Sequence, residues 1–221
     1  MTTGRSECMM ISRSKYRLTA CFGFAMAIVL AAGCGAARPS KYYQLTVPAD
    51  MQSSAEPNPL PITVLIGRVT ASALYRDDQI VYSTGGESMG TYEYHRWAEP
   101  PTEMIAEIIL RQLRASGRYR GVYALRSDIH GDYVLHGRLY DFKEVSGSSE
   151  VGRVSLELEL RDLKSGTPVW SHFYSHDEPA ASKDIVAVVA ALDHNIQQGI
   201  AECRTSLEQY FAAHPPAPAA H

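Results

Sequence analysis

Cys34 carries the plainest chemistry in the chain. It closes the run Leu30-Ala31-Ala32-Gly33-Cys34, at the end of an apolar stretch that follows Arg13, Lys15 and Arg17. Small side chains at Ala32 and Gly33 leave the backbone open to a signal peptidase. The Cys34 thiol is the one nearby side chain able to take a thioether-linked diacylglycerol. The pattern reads as a lipobox, with Ala31 where leucine is usual and Leu30 one step earlier. Cleavage before Cys34 removes residues 1–33 as a lipoprotein signal peptide. The apolar stretch, residues 18–32, falls short of the roughly 20 residues a spanning helix needs and fits a secretory h-region. A diacylated, palmitate-bearing cysteine supplies more than one chain, as stable membrane anchoring requires. Gly35, in place of the aspartate that retains lipoproteins in the inner membrane, points to the periplasmic face of an outer membrane.

Other residues that could do chemistry do not combine. His172 and His176 lie four apart in a strand pattern. A rise of about 3.3 Å per residue sets their Cα atoms about 13 Å apart, too far to share one ion. His130 and His136 fare no better. Glu157 and Glu159 share a strand face about 7 Å apart. A glycosidase needs two carboxylates facing each other across a cleft, whereas these two fit an exposed face of alternating Glu and Arg. There is no Gly-x-Ser-x-Gly nucleophile elbow and no Ser-x-x-Lys with its partner motifs, and Gly85-Gly86 precedes a strand, so no helix N-terminus is offered to a phosphate. No catalytic residue, metal or cofactor is expected. Cys203, the one cysteine of the folded region, falls in an apolar helical stripe and reads as a buried, inert thiol.

Charge excludes a further class. The sequence holds 21 basic and 24 acidic residues. The signal takes Arg5, Arg13, Lys15, Arg17 and Glu7, which leaves 17 basic against 23 acidic residues and a net charge of −6. Without a basic block the counterion-release term that drives nucleic-acid binding is missing. Membrane contact then rests on the lipid.

The elements that position these residues are legible from periodicity. Residues 35–41 form a tether. Residues 41–47 alternate as a first strand, and Pro48, Pro57, Pro59 and Pro61 stiffen the loop that follows. Residues 62–69 are apolar and β-branched, a central strand. Residues 71–78 are a connector with room for one helical turn. Strands follow at 79–83 and 91–97. Pro100-Pro101 opens a helix with Glu103 in its first turn, Ile105, Ile108, Ile109 and Leu113 form its apolar stripe, and Gly117 closes it. Strands at 119–125 and 132–144 come next. Val154, Leu156, Leu158 and Leu160 alternate with Ser155, Glu157, Glu159 and Arg161, a half-buried antiparallel strand. Lys164-Ser165-Gly166 turns it back into residues 169–176. Ser182 is the expected cap of a long helix to about Phe211. Its stripe is Ile185, Val188, Val189, Leu192, Ile196, Ile200, Cys203, Leu207 and Phe211. About 30 residues at 1.5 Å is on the order of 45 Å, more than a small sheet covers, so one end is expected to project or to meet a partner. The expected fold is α/β: a single-domain sandwich of a mixed, largely antiparallel sheet and two main helices packed on one face, the C-terminal helix long. The expected divisions are a signal at 1–33, a lipidated tether at 34–41, a domain at 42–212 and a disordered tail at 213–221.

Aromatic residues crowd the first half of the domain. Tyr42, Tyr43, Tyr75, Tyr82, Tyr92, Tyr94 and Trp97 suit either core packing or anchors for a protein partner. Their setting resembles a known family. A lipobox is followed by Tyr42-Tyr43-Gln44-Leu45, then a strand, then Leu74-Tyr75-Arg76-Asp77 and Gln79-Ile80-Val81-Tyr82. Trp97-Ala98-Glu99-Pro100-Pro101 then leads into a helix. This pattern is similar to the ABC-type transport auxiliary lipoprotein family, the lipoprotein components of MCE-type lipid transport systems. The resemblance spans nearly the whole mature chain and implies a non-catalytic docking subunit at the outer membrane. It implies as partners an MCE-type periplasmic protein, ABC transporter subunits and further copies of the chain. Tyr42, Tyr43, Tyr75 and Trp97 are the candidate partner-contact or structural aromatics. A scaffold lipoprotein for outer-membrane assembly or secretion is the alternative reading, and a periplasmic hydrolase using Glu157 and Glu159 the remote one.

Replacing the anchor tests the lipobox directly. Cys34→Ser is expected to leave a folded protein that moves from the membrane to the soluble periplasmic fraction. A variant still sedimenting with outer membranes contradicts the reading.

Overall fold

Alternating apolar residues build the longest ladders. In the computed structural model, which describes residues 38–47, 57–85 and 87–216, the order is β1 (Lys41–Tyr43), β2 (Leu60–Ala71), a 3-10 turn (Ala73–Tyr75), β3 (Gln79–Ser83), β4 (Met89–Trp97) and α1 (Pro101–Ala115). Then come β5 (Tyr119–Ala124), β6 (Tyr133–Val145), β7 (Val151–Asp162), β8 (Pro168–Pro179) and α2 (Ile185–Ala213). Cys34, the signal, most of the proline loop (48–56) and the end of the tail (217–221) lie outside the described residues.

All eight strands join one mixed sheet with β6 as its axis. On one edge β6 pairs antiparallel with β7 along its whole length, and β7 pairs antiparallel with β8. On the other edge two strands lie end to end: β2 runs parallel to residues 133–139 of β6, and β3 parallel to residues 143–145. β5 extends the sheet beyond β2, and β4 then β1 extend it beyond β3. Four of the seven pairings among the described residues are parallel, but the two longest ladders are antiparallel.

Both helices cover one face. α1 packs on β2 and β5, α2 on β7 and β8, and the helices touch each other, with Gln112 Nε2 donating to Gln197 Oε1 at 2.9 Å. α1 begins at Pro101, where a missing N–H costs nothing, carries Glu103 in its first turn, and is followed by Gly117 at φ +63°. Met104, Ile105, Ile108, Ile109 and Leu113 face the sheet and are buried. Cys203 is buried in the α2 stripe, and burial pushes its thiol up to about 12, which keeps it a poor nucleophile.

Three expectations need correction. The first strand ends at Tyr43, not residue 47, because the chain leaves the sheet for α2. There Leu45 is buried, the Thr46 N–H donates to Asp193 Oδ1 at 3.0 Å, and Gln197 Nε2 donates to the Thr46 carbonyl at 2.6 Å. The cap of α2 is Asp184, not Ser182: Asp184 Oδ1 accepts the Ala187 N–H at 3.0 Å. Ser182 supports it by donating its hydroxyl to the other carboxylate oxygen, and with the Ala187 N–H it holds the Asp184 carboxyl below its ordinary range. Finally, α2 does not project. Its 29 residues span about 44 Å, and the 12- and 13-residue strands beneath it span about 40 Å. Residues from Val188 to Phe211 are buried along that length.

One polar node fixes α2 on the sheet. Asn195 is wholly buried in the apolar stripe. Its Nδ2 donates to the carbonyls of Gly152 at 2.8 Å and His176 at 2.9 Å. Its Oδ1 accepts the Tyr174 hydroxyl at 2.6 Å. The helix comes so close that a Cβ on Gly152 would stand 2.9 Å from the Leu192 backbone nitrogen, so only glycine fits there. Asn195→Ala removes three side-chain hydrogen bonds at once and leaves the Tyr174 hydroxyl the longer bond to the residue-195 backbone carbonyl, at 3.3 Å. A buried hydrogen bond contributes about 0.5–1.5 kcal/mol net, so the loss of three is expected to cost roughly 2–4 kcal/mol in urea unfolding. A loss under about 1 kcal/mol would place water in the node instead.

Candidate functional site

Three of the aromatics singled out from sequence, Tyr42, Tyr43 and Trp97, sit where β1, β4 and α1 meet, and the fourth, Tyr75, ends the 3-10 turn between β2 and β3. Trp97, the last residue of β4, is 1 % exposed. Its ring packs 5.4 Å from that of Phe142, and its backbone N–H donates to the Asp78 carbonyl at 2.6 Å. The next N–H, of Ala98, reaches the Tyr43 carbonyl at 2.6 Å. Tyr75 is buried with its hydroxyl 3.5 Å from Asp141 Oδ1. Burial first, and the Asp141 charge second, push that phenol up to about 12. Tyr43 is half-buried, its hydroxyl 2.9 Å from His95 Nδ1. Tyr42 alone of the four faces solvent, at 64 % exposure.

Beside this junction lies a buried carboxylate that periodicity did not single out. Glu144 accepts the Tyr92 hydroxyl at 2.8 Å and the Ser146 hydroxyl at 2.7 Å. Burial and that bond raise the Tyr92 phenol above its ordinary value. The sequence signal was faint: a glutamate at an inward-facing position of β6, where Leu139 and Phe142 precede it on the core side.

The face of the sheet away from the helices is open. Arg68, His136, Arg138, Glu157, Glu159 and Arg161 line a shallow concavity of about 680 Å³ there. The two carboxylates weighed as an acid–base pair are both engaged. Glu157 accepts the Tyr140 hydroxyl at 2.7 Å, and Glu159 pairs with Arg161 at 2.8 Å. The Arg138 guanidinium stands 5.0 Å over the Tyr140 ring. Arg153 and Asp177 form a two-pronged pair at 2.7 and 2.6 Å, which holds the Asp177 carboxyl below its ordinary range. Such half-exposed pairs add little stability each. The face is a ladder of opposite charges with aromatic rungs, Tyr140 and Phe173, meeting edge to face at 5.8 Å.

Three histidines, His172, His176 and His194, lie along the seam between α2 and β8. His172 Nε2 lies 2.9 Å from Glu202 Oε1, and Glu178 takes His194 at 3.1 Å and His176 at 3.6 Å. Among the described residues no group of three His, Cys, Asp or Glu side chains is placed to hold a metal. What the domain offers is shape and surface: a firm helix-covered core, an open charged face and uncovered sheet edges.

A family model described as the ABC-type transport auxiliary lipoprotein component matches residues 43–202. The chain belongs to this family. The match runs from the second residue of the Tyr42-Tyr43 pair through most of α2, so it takes in the Trp97 junction and the whole sheet apart from Lys41 and Tyr42. Solved structures share the fold. A Xanthomonas campestris protein superposes with a TM-score of 0.63 at 20% identity, over 76% of this chain and 98% of its own. A second, uncharacterized protein gives 0.61 at 15% identity, over 77% and 99%. No curated protein matches the chain. The auxiliary lipoprotein is therefore a transport accessory built on the two-helix, eight-strand sheet described above.

The aromatics separate by their role in stability. Trp97→Ala removes a fully buried ring from the auxiliary lipoprotein and is expected to cost about 3–5 kcal/mol. Tyr42→Ala, on the surface, is expected to stay within about 0.5 kcal/mol. Thermal or urea unfolding of the two variants decides this, and an equal loss in both would contradict the assignment.

Proposed function

We propose that this lipoprotein is cleaved before Cys34, lipidated there, and held at the periplasmic face of the outer membrane. In that place it acts as a non-catalytic docking subunit of an MCE-type ABC transport system for lipids or organic solvents. Its partners are an MCE-type periplasmic protein, the ABC transporter subunits and further copies of itself. The family match over residues 43–202 carries the reading. Three features support it. The sequence has a lipobox at residues 30–34. The carboxylates that might have served hydrolysis, Glu157 and Glu159, lie side by side on one strand and are bonded to neighbours. Tyr42 presents an exposed aromatic next to the buried Trp97 junction, a residue type suited to anchoring a partner.

Tyr42, Tyr43, Tyr75 and Trp97 divide the work in this reading. Trp97 and Tyr43 keep the junction of β1, β4 and α1 rigid, Tyr75 holds the 3-10 turn against Asp141 of β6, and Tyr42 meets the partner. Purification of the full-length lipidated protein from membranes in mild detergent tests the proposal. Recovery of an MCE-type protein, weakened by Tyr42→Ala, is expected. Recovery of a secretin or β-barrel without any MCE-type protein overturns it.

A further inference from the structure

The sheet has three edges among the described residues, and they are finished differently. Edges with unpaired N–H and C=O groups invite pairing with another chain, and proteins blunt them with short strands, cations, proline or side-chain caps. β1 is three residues long and starts at Lys41. β5 is six residues long. Its outward Val122 carbonyl accepts Arg114 Nε at 2.8 Å, and its Ala124 carbonyl accepts the Ser127 N–H and hydroxyl at 2.9 and 2.7 Å. β8 is twelve residues long, contains no Lys or Arg, and has proline only at its ends, Pro168 and Pro179.

The ladder shows which groups of β8 point outward. The Ala180 N–H donates to the Glu150 carbonyl at 2.9 Å, and the β7–β8 register continues unbroken from Val151↔Pro179 to Leu160↔Trp170. Bonded and non-bonded pairs alternate in an antiparallel ladder. The peptide groups of Ser171, Phe173, Ser175 and Asp177 therefore face away from β7, and their side chains lie on the open face of the sheet. Phe173 is 58 % exposed, and its ring meets that of Tyr140, itself 42 % exposed.

We propose that β8 pairs antiparallel with β8 of a second copy, about a twofold axis at Phe173. The outward groups belong to odd-numbered residues, so the register must set odd against odd. Centring on Phe173 sets Phe173 against Phe173, Ser171 against Ser175 and Val169 against Asp177. The largest exposed apolar side chain on the strand then meets its own image, and Tyr140, Phe173, Phe173 and Tyr140 form one aromatic row across the seam. The acidic Asp177 and Glu178 lie about 13 Å or more to either side of the axis, so no like charges are opposed. Such a self-complementary patch is what a twofold interface requires. The pairing gives the self-association in the proposed function a surface, and it rests on that reading only in this respect. Its test does not involve a transport partner.

Cysteine cross-linking of the full-length protein reads the register. Facing residues of a bonded pair have Cα atoms about 5.5 Å apart, within disulfide reach. Phe173→Cys is expected to give a disulfide-linked dimer under mild oxidant, above the background of the wild-type chain with Cys34 and Cys203. Ser171→Cys alone is expected to stay monomeric on a non-reducing gel, and to link when mixed with Ser175→Cys. Ser171→Pro removes only an outward N–H, so it is expected to keep the melting temperature and to lose the dimer in sedimentation. No link through Phe173→Cys overturns the proposal. So does a Ser171→Cys chain that links to itself as strongly, or a link to a different protein in place of a second copy.

Discussion

β6 is thirteen residues long, and the whole sheet depends on that length. A strand of ordinary length, about five or six residues, has room for one neighbour on each edge. β6 spans about 40 Å and carries two on the same edge: β2 along its first half and β3 at its end. The 3-10 turn Ala73–Tyr75 bridges them. Within the sheet, the strands beyond β2 and those beyond β3 are joined through this shared edge, and the β7–β8 ladder extends the opposite side. The same length sets the size of the helix layer, because α2 is as long as the ladder it covers.

The parts legible in the sequence are those whose pattern is local. The alternation from Val154 to Leu160 put the right residues inward because a strand has a period of two. The Ile105, Ile108, Ile109 and Leu113 spacing placed α1, and Pro100-Pro101 with Gly117 bounded it. The mixed sheet and the single helix-covered face followed from such signals, and the family from the resemblance carried by motifs such as Tyr42-Tyr43-Gln44-Leu45 and Trp97-Ala98-Glu99-Pro100-Pro101. The reach of the sheet did not. Whether a 29-residue helix overhangs depends on how long its strands become when paired, and pairing partners lie far apart in the chain, as with Val64 and Tyr133. The strand ending at Tyr43 failed for the same reason: alternation continues to Val47, but Asp193 and Gln197 of α2 draw the backbone away. The cap at Asp184 was a choice between two good capping residues, and only the geometry of the helix entry separates them.

The candidate site was legible in residue type and less so in environment. Tyr42, Tyr43, Tyr75 and Trp97 stood out as aromatics, yet nothing local distinguishes the exposed Tyr42 from its half-buried neighbour except strand alternation over three residues. Glu157 and Glu159 were rightly placed on a solvated face, and their partners Tyr140 and Arg161 come from β6 and from the same strand. Asn195 was the clearest missed signal. It stands between Leu192 and Ile196 in a stripe that is otherwise apolar, and a polar residue in such a position must find buried partners.

Asn195 also bears on how the domain responds to load. Helices packed on apolar surfaces can slip past one another or a sheet in small steps, which is how shear motions arise. Here three directed bonds, to Gly152, His176 and Tyr174, fix one point of the long helix to two adjacent strands, at a spot where the backbones already touch. Sliding by a single residue would break all three at once. Displacement applied at one end of α2 is thus passed to the strand ladder without slack, and the domain behaves as a stiff spacer between whatever grips its two ends.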